Sequence, residues 1–403
     1  MFYQANDAHP FQEYLLPEDN KLKAKVLISL IIVVSLSIIL AAWSFMVTKK
    51  QERAEVYYRQ GVALRKKGAY RQAISDLTKA IEASSQYADA YYQRGNAYEG
   101  QGESERAIAD FTRAIELNPE NPRAYYSRGG AYLRREKYER AIADFTRAVE
   151  IDAEFIDAYF RIVYCNMKLG RHEEAAKALK QVIRLKPDYV EVYYSLGSTY
   201  AVLKRHRDAV EAFKQAIRLR PDYVEAYYSL GTSYAALGLH SEAIRVFRQV
   251  IRLKPDYVEA HRALGAEYAV LARHQEAIEA FKQAIRLKPD YAEAHCNLGT
   301  AYFRLKRDRE ALKIFKQAIR LQPDRAETHY LLGSAYAVLG RHRDSLEAFR
   351  QAVRLDPKYA EAHYNLGVTY MILGDNSSAL DEYRILKDLN RDLANNLFNQ
   401  LYE

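Results

Sequence analysis

The histidines are the first candidates for chemistry, because imidazole serves both as a metal ligand and as a general base. The ligands of one metal ion must lie within the same coordination sphere. The sequence repeats with a period of 34 residues, and side chains one whole repeat apart are too distant to bind the same ion. Histidine replaces the flat aromatic that other repeats carry, such as Tyr70 and Tyr138. We therefore predict packing residues, with no metal and no cofactor. Nine of the ten occupy two positions of a 34-residue period, those of His261, His295, His329 and His363 and of His172, His206, His240, His274 and His342.

The other reactive side chains form no catalytic pattern. The sequence shows no nucleophile–base arrangement, no spaced carboxylate pair and no phosphate-binding loop, so we predict that the chain is not an enzyme. Its two cysteines, Cys165 and Cys296, lie four repeats apart. Stacked helices are about 10 Å apart, so these thiols cannot form a disulfide within one chain. We interpret both as small packing residues.

The elements that must position these side chains are ten copies of the 34-residue unit, which run from Ala54 to Leu393 without insertion. With Ala54–Tyr87 as the first repeat, position 8 is Gly in nine repeats and position 20 is Ala in nine. Position 11 is Tyr in eight repeats and position 32 is Pro in seven. A strict period of this length indicates a solenoid, in which each unit buries its apolar face against its neighbours.

Each unit reads as a helical hairpin. Apolar residues at positions 4, 7, 8 and 11 share one helical face, and a second amphipathic run covers positions 18 to 30. Gly at position 8 and Ala at position 20 allow two helices to approach closely. Proline at position 32 ends the second helix, because it forces the preceding residue out of helical geometry.

These markers are similar to those of the tetratricopeptide repeat family, and the resemblance covers about 340 of the 403 residues. The resemblance implies an all-α, right-handed solenoid of ten 34-residue helical hairpins. It also implies a concave groove lined by positions 2, 5, 9, 12 and 13, which we call the groove face. Residues 394–403 carry Leu397, Phe398 and Leu401 and are predicted to form a capping helix.

Position 5 is the candidate binding column of the groove face. Position 2 beside it is acidic in nine repeats and includes Glu191, Glu225 and Glu259. Because Tyr is a favoured interface anchor, we hypothesise that the groove binds an extended or helical segment with apolar and basic side chains. Alternatively, the acids only complement helix dipoles and Tyr at position 5 is a family habit. The column contains Tyr58, Tyr92, Tyr126, Phe160, Tyr194, Tyr228, Arg262, Cys296, Tyr330 and Tyr364.

Two known groove chemistries do not match this sequence. Repeat domains that hold chaperone C-termini use Lys or Arg and Asn on the groove face. Here position 5 is mainly Tyr, position 2 is acidic, and Asn96 is the only asparagine at position 9. The asparagine ladder of sugar-transferring repeat enzymes is also missing.

Val26–Thr48 is a predicted transmembrane helix. Its 23 residues contain no charge, Gly or Pro, and at about 1.5 Å per residue they can cross a hydrocarbon core of about 30 Å. A polar tail (1–25) precedes it and a basic linker (49–53) follows. Trp43 and Phe45 lie near the second boundary, where aromatic side chains favour the interface.

Two questions about this segment stay open on sequence alone. Ala42 and Ser44 provide a small-x-small cleavage pattern, although the apolar run is longer than a signal core and 25 residues precede it. Three basic residues lie before the span and seven follow it, which favours a cytoplasmic repeat domain. The nearest flanks are equal, however, with three basic residues on each side.

The formal charge of +8 and the pI near 9.1 suit nucleic acid or an anionic membrane surface. Much of the excess lies at helix ends, as in Arg184-Leu185-Lys186, where cations complement the helix dipole. A base-reading code would vary along the repeats, whereas these positions are nearly uniform. We therefore expect no nucleic-acid partner.

The repeats fall into two classes. Repeats 1–3 (54–155) share one consensus pattern, and within repeats 5–10 (190–393) repeats 5–9 share another. Repeat 4 (156–189) fits neither, since Val163 replaces Gly and Asn166 replaces Tyr. We predict a change of superhelical curvature at repeat 4.

The sequence thus predicts a membrane-anchored scaffold that holds partner proteins in a tyrosine-lined groove. The alternatives are a self-assembling structural array at the membrane and, as a minor one, a nucleic-acid-associated basic repeat protein.

Overall fold

A computed structural model describes residues 18–402 of the chain, so residues 1–17 of the predicted polar tail lie outside it. The described residues form 21 α-helices and no strand, which confirms the all-α prediction. The chain divides into two compact units, of which unit 1 ends at Leu169 and unit 2 begins at Gly170. The division falls inside repeat 4, and the change of curvature there stays a prediction.

The helices alternate between a first helix (A) and a second helix (B) in each repeat. Unit 1 contains α1 (Glu18–Lys66), α2 (Tyr70–Ala83), α3 (Ala88–Gly100), α4 (Ser104–Leu117), α5 (Pro122–Arg134), α6 (Tyr138–Ile151) and α7 (Ile156–Lys168). Unit 2 contains α8 (His172–Leu185), α9 (Val190–Val202), α10 (His206–Leu219), α11 (Val224–Ala236), α12 (His240–Leu253), α13 (Val258–Val270), α14 (His274–Leu287), α15 (Ala292–Arg304), α16 (Asp308–Leu321), α17 (Ala326–Val338), α18 (His342–Leu355), α19 (Ala360–Ile372), α20 (Asn376–Leu389) and α21 (Arg391–Tyr402).

The turn between helices A and B is closed by position 15, which has a positive φ in all ten repeats. Six of these residues are Gly, such as Gly102 with φ 80°. The other four are Glu136, Lys204, Ala272 and Lys306, with φ between 55° and 59°. A left-handed residue after a helix is the usual way to end it, and it favours Gly because a Cβ is disfavoured there.

The core of most repeats is a Phe at position 24 packed on the Gly at position 8. In repeat 5, a Cβ on Gly197 would lie 2.6 Å from Cε1 of Phe213, whose side chain is 1 % exposed. Gly197 therefore has no room for a side chain, because the Phe213 ring packs directly against it. Repeat 4 departs at both positions together, since position 8 is Val163 and position 24 is Leu179.

Repeats 2 and 3 add a buried ion pair between their two helices. Arg128 donates from Nε and Nη2 to the two carboxylate oxygens of Asp144 at 2.8 and 2.7 Å, and Arg94 does the same with Asp110. In repeats 5–10 position 7 is Leu, and in repeat 5 Leu196 and Ala212 occupy the positions of the arginine and the aspartate. The ion pair gives a physical reason for the two sequence classes.

The two ends of the array are helical. α1 is one helix of 49 residues, which includes the apolar segment 26–48, the basic segment 49–53 and helix A of repeat 1. The expected linker is therefore a continuous helix. It is the one helix in the described part of the chain that is long and apolar enough to cross a membrane. At the other end, Leu397 and Ala394 of α21 are buried against Leu386.

Candidate protein-binding face

The aromatic residues at position 5 are packing residues with one exposed edge. The ring centroid of Tyr194 lies 5.8 Å from that of Phe213 and 5.1 Å from that of Tyr223 at position 34. Tyr228 and Tyr330 have equivalent neighbours at 5.0 to 5.8 Å. Stacked and tilted aromatic pairs of this kind stabilise the fold beyond their buried area. Tyrosine at position 5 therefore has a structural role whether or not it binds a partner.

The remaining aromatic residues of the column have related surroundings. In unit 1, Tyr58 packs on Tyr87 at 4.9 Å, Tyr92 on Phe111 at 6.0 Å, and Tyr126 on Phe145 at 5.5 Å. Burial raises the pKa of Tyr58. Phe160 is half-buried in α7, and Tyr364 packs against the cluster around Leu397.

The tyrosine hydroxyls accept hydrogen bonds from the next repeat. Arg161 Nε donates to Tyr126 Oη at 3.3 Å, and Asn365 Nδ2 donates to Tyr330 Oη at 3.1 Å. Both donors occupy position 6. In the repeats that follow Tyr194 and Tyr228 this position is Ser229 and Ala263, and the hydroxyls of these two tyrosines have no side-chain hydrogen-bond partner within residues 18–402. These two hydroxyls are free to bind a ligand.

The column is interrupted in repeats 7 and 8. Arg262 donates from Nη1 to Glu293 at 3.1 Å. Burial disfavours its charge, but Glu293 and nearby tyrosines raise the pKa of Arg262 overall. Cys296 is buried, and burial raises the pKa of its thiol. Neither residue offers an aromatic edge.

A cavity of about 300 Å³ lies on the groove face beside this interruption. Its lining includes Ala266, Ala269, Val270, Thr300 and Asn297. Small residues at positions 9 and 12 leave this space, as their side chains suggest. A partner side chain can enter it.

The acidic column at position 2 is half neutralised in unit 2. Arg220 Nη2 lies 2.5 Å from Glu191 Oε1, and this hydrogen bond lowers the pKa of Glu191. Glu293 and Glu327 also have arginine partners. By contrast, three exposed acids have no ion-pair partner within the described residues, and they are Glu225, Glu259 and Glu361.

An exposed apolar column at position 13 was not identified from the sequence. Four of its six members in unit 2 are apolar and 55 to 60 % exposed, and they are Val202, Val270, Val338 and Ile372; the other two are Ala236 and Arg304. The available signal was that position 13 belongs to the groove face and is apolar in most of these repeats. In unit 1 the same position is charged in Arg134 and Lys168. Position 13 is therefore mainly apolar in unit 2, whereas Arg134 and Lys168 make it charged in unit 1.

The unit 1 groove face contains a polar cavity of about 560 Å³. Arg134 and Arg161 lie at its rim, and Arg134 forms an ion pair with Glu99 beneath them. Burial and the charge of Arg161 lower the pKa of Arg134. The absence of a side chain at Gly130 leaves the cavity open, since a Cβ there would have nothing within 4 Å.

The position 4 histidines hold the preceding loop. Nε2 of His261, His295 and His329 lies 2.9 Å from the carbonyl oxygen of the proline six residues earlier. Because a carbonyl only accepts, the imidazole donates from Nε2. These histidines therefore pack as expected and also hydrogen-bond, a role that the sequence did not indicate.

Three family models match the chain. The model described as the C-terminal domain of cilia and flagella-associated protein 70 matches residues 189–390, half of the chain. Models described as tetratricopeptide repeat and TPR repeat match residues 92–154 and residues 61–102 and 166–204. The chain belongs to the tetratricopeptide repeat (TPR) family. This confirms the resemblance, and the TPR array is a scaffold suited to protein–protein interaction.

Solved TPR structures resemble the array. The crystal structure of MamA protein is 31 % identical, with coverage of 43 % of this chain and 96 % of that one and a TM-score of 0.41. YrrB, described as a TPR protein with an unusual peptide-binding site, is 27 % identical over 46 % of this chain and 95 % of that one, with a TM-score of 0.40. The structure of Naa15/Naa10 bound to HypK-THB is 13 % identical over 84 % and 64 %, with a TM-score of 0.53, and shows the fold alone. No curated protein matches the chain.

Proposed function

We propose that this TPR protein is a membrane-anchored scaffold whose unit 2 groove face binds segments of other proteins. The observation that carries the proposal is the exposed apolar column at position 13, which includes Val202, Val270 and Val338. These side chains are more than half exposed, although the Phe and Gly residues in the core of the same repeats are closely packed. Together with the cavity that Val270 lines with Ala266 and Ala269, this exposed apolar surface favours an interaction site.

The chemistry of the face favours partner segments with apolar and basic side chains. The valines and the exposed edges of Tyr194 and Tyr228 provide apolar contact, and the two free tyrosine hydroxyls provide hydrogen-bonding groups. Glu225 and Glu259 provide unpaired negative charge at one edge. An extended or amphipathic helical segment with Lys or Arg on one side would satisfy both features.

Membrane anchoring rests on α1. Its side chains from Val26 to Met46 are all exposed, which is unfavourable in water for so apolar a segment and favourable in lipid. The excess of basic residues after the span supports a cytoplasmic repeat domain. Protease protection of the repeats in sealed membranes would test the orientation.

Photocrosslinking tests partner binding without disturbing the aromatic packing. A benzoyl-phenylalanine would replace Val202 or Val270 in the full chain, in its native membrane. Val56 is the matched control, because it is 54 % exposed but occupies position 3, outside the groove face. We expect the same partner to be captured from both groove positions and not from Val56.

Charged substitutions at the same positions make the test quantitative. Val202→Asp with Val270→Asp should reduce recovery of that partner about 5- to 30-fold per residue if each contact is a hot spot of about 1–2 kcal/mol. Val56→Asp should not reduce it. Equal capture from all three positions, or undiminished recovery with the double variant, would show that the groove face is not the binding site.

A further inference from the structure

α1 places repeat 1 at the edge of the bilayer. Only five residues, Lys49–Arg53, separate the apolar segment from the first residue of repeat 1, and they are helical. At about 1.5 Å per residue, Ala54 therefore lies about 9 Å beyond the last apolar-segment residue, Thr48. No flexible linker intervenes to let the repeat move away from the membrane.

The α2–α3 loop reaches the same level. Its residues Ser84, Gln86 and Tyr87 face Gln51 and Glu52 of α1 across a cavity of about 450 Å³. One turn earlier, Val47 is half-buried, whereas every side chain from Val26 to Met46 is exposed. The α2–α3 loop of repeat 1 therefore lies beside the end of the apolar segment.

This position is the depth of the lipid headgroups. A bilayer is about 40–45 Å thick with headgroups and about 30 Å without them, so each headgroup layer is about 5–7 Å deep. Gln51 and Glu52 lie about 4–6 Å beyond Thr48 along the helix. The loop that faces them must share that layer if α1 spans the membrane as proposed above.

We propose that α1 and the α2–α3 loop form a headgroup-binding surface for lipids that carry a phosphate and a primary ammonium group. The proposal rests on the membrane anchor of the proposed function. Its occupant is determined by continuity, because the same helix that crosses the bilayer forms one wall of the cavity. The loop contributes a serine, a glutamine and a tyrosine, which are residue types that hydrogen-bond at membrane interfaces.

The charges near the cavity match both ends of such a headgroup. Lys49, Lys50 and Arg53 do not line the cavity, but they are exposed cations in the same segment of α1 as its lining residues Gln51 and Glu52, where they can bind the phosphate. Glu52 is exposed and has no ion-pair partner in the described part of the chain, so its carboxylate can accept from the ammonium group.

A second carboxylate fixes the loop instead. Glu55 accepts from Tyr87 Oη at 2.5 Å and from Arg59 Nε at 2.6 Å. Both hydrogen bonds lower the pKa of Glu55, so it remains ionised and holds Tyr87 against α1. The wall of the cavity is therefore formed before any lipid binds.

The first measurement locates the loop relative to the bilayer. Spin labels at Ser85→Cys and, as a control, at Lys67→Cys would be compared in the full chain in lipid nanodiscs; both native cysteines are buried. Lys67 lies 19 residues beyond Thr48, about 28 Å along the helix. We expect the Ser85 label to be shielded from a water-soluble relaxation agent and the Lys67 label to be fully accessible.

Trp43 separates failure of this proposal from failure of the anchor. It is the only tryptophan in the chain and lies within the apolar segment, so brominated acyl chains should quench its fluorescence. Without quenching, the proposed anchor is wrong. Quenching of Trp43 together with equal water accessibility of the two labels would overturn the headgroup surface alone.

The second measurement tests the headgroup. Native mass spectrometry of the protein released from nanodiscs should show more retained phosphatidylethanolamine than phosphatidylcholine, whose ammonium group has no N–H. Glu52→Gln should lower the retained phosphatidylethanolamine about two- to fivefold, the range for one exposed charge pair, and Glu82→Gln in α2, outside the lining, should not. Equal retention of the two lipids by the wild type would overturn the ammonium assignment.

Discussion

Two adjacent glycines in α5 should respond oppositely to the same substitution. A Cβ on Gly129 would lie 2.8 Å from Cε1 and 3.0 Å from Cδ1 of Phe145. A Cβ on Gly130 would have nothing within 4 Å. We therefore expect Gly129→Ala to destabilise repeat 3 and Gly130→Ala to stabilise it.

The magnitudes follow from two opposing terms. Replacing Gly by Ala inside a helix stabilises by about 0.5–1 kcal/mol, because the unfolded chain loses freedom. At Gly130 this is the whole effect. At Gly129 the ring of Phe145 must move as well, although its side chain is fully buried and packs on Tyr126 at 5.5 Å. Overpacking of this kind costs about 1–3 kcal/mol, so the net loss is about 0.5–2 kcal/mol.

The assay must resolve one repeat within an array. Global unfolding of stacked repeats is not strictly two-state, so urea unfolding followed by circular dichroism should be combined with amide hydrogen exchange of α5 and α6. We expect protection of these helices to fall in Gly129→Ala and to rise in Gly130→Ala. A shift in the same direction for both variants would refute the assignment of Gly129 to close helix packing.

Two further perturbations test the ion pairs of the array. Asp144→Ala should destabilise repeat 3 by about 3 kcal/mol, because it leaves Arg128 largely buried without its partner. The double variant Arg128→Leu with Asp144→Ala, which has the residues of repeat 5 at both positions, should stay within about 1 kcal/mol of wild type in urea unfolding. Repeat 10 should lose stability at alkaline pH, because the pKa of His363 is raised. Burial lowers this pKa, but the hydrogen bonds to the Glu382 carboxylate at 2.6 Å and to the Pro357 carbonyl raise it by more. The stabilisation is complete below the ordinary pKa of about 6.5 and is lost as the pH rises through the folded value. The hydrogen-exchange protection factors of α19 and α20, which correct for the intrinsic pH dependence of exchange, should therefore be lower at about pH 8.5 than at about pH 6, and His363→Gln should remove the difference.

The hairpin fold was predictable because its requirements recur at fixed positions. Gly197 and its equivalents mark where two helices touch, and one correct register assigns every repeat. The turns were less predictable: Lys204 and Ala272 adopt the left-handed conformation without being Gly, since the repeat on either side determines their backbone. Nothing in the charges of Lys49–Arg53 distinguishes a helical segment from a flexible one.

The candidate binding face was predictable only in part. Its positions followed from the family resemblance, but the packing of Tyr194 between Phe213 and Tyr223 depends on side-chain directions that no repeat consensus states. The exposure of Val202 could not be predicted for a similar reason, because an apolar residue on a helix usually belongs to the core. The positions of the groove face could be predicted from the sequence, whereas the structure was needed to show which side chains on that face are exposed.

The array separates the positions that hold it together from those that can recognise a partner. Phe145 in unit 1 and Phe213 in unit 2 are equally buried on equivalent glycines. Position 13 changes from Arg134 to Val202 without any change in that packing. Because position 13 is exposed in both units, its side chain can vary with little effect on stability. A repeat scaffold can thus acquire a new binding preference at position 13 while position 8 remains fixed, which is why we expect Val202→Asp to alter partner binding and Gly129→Ala to alter stability.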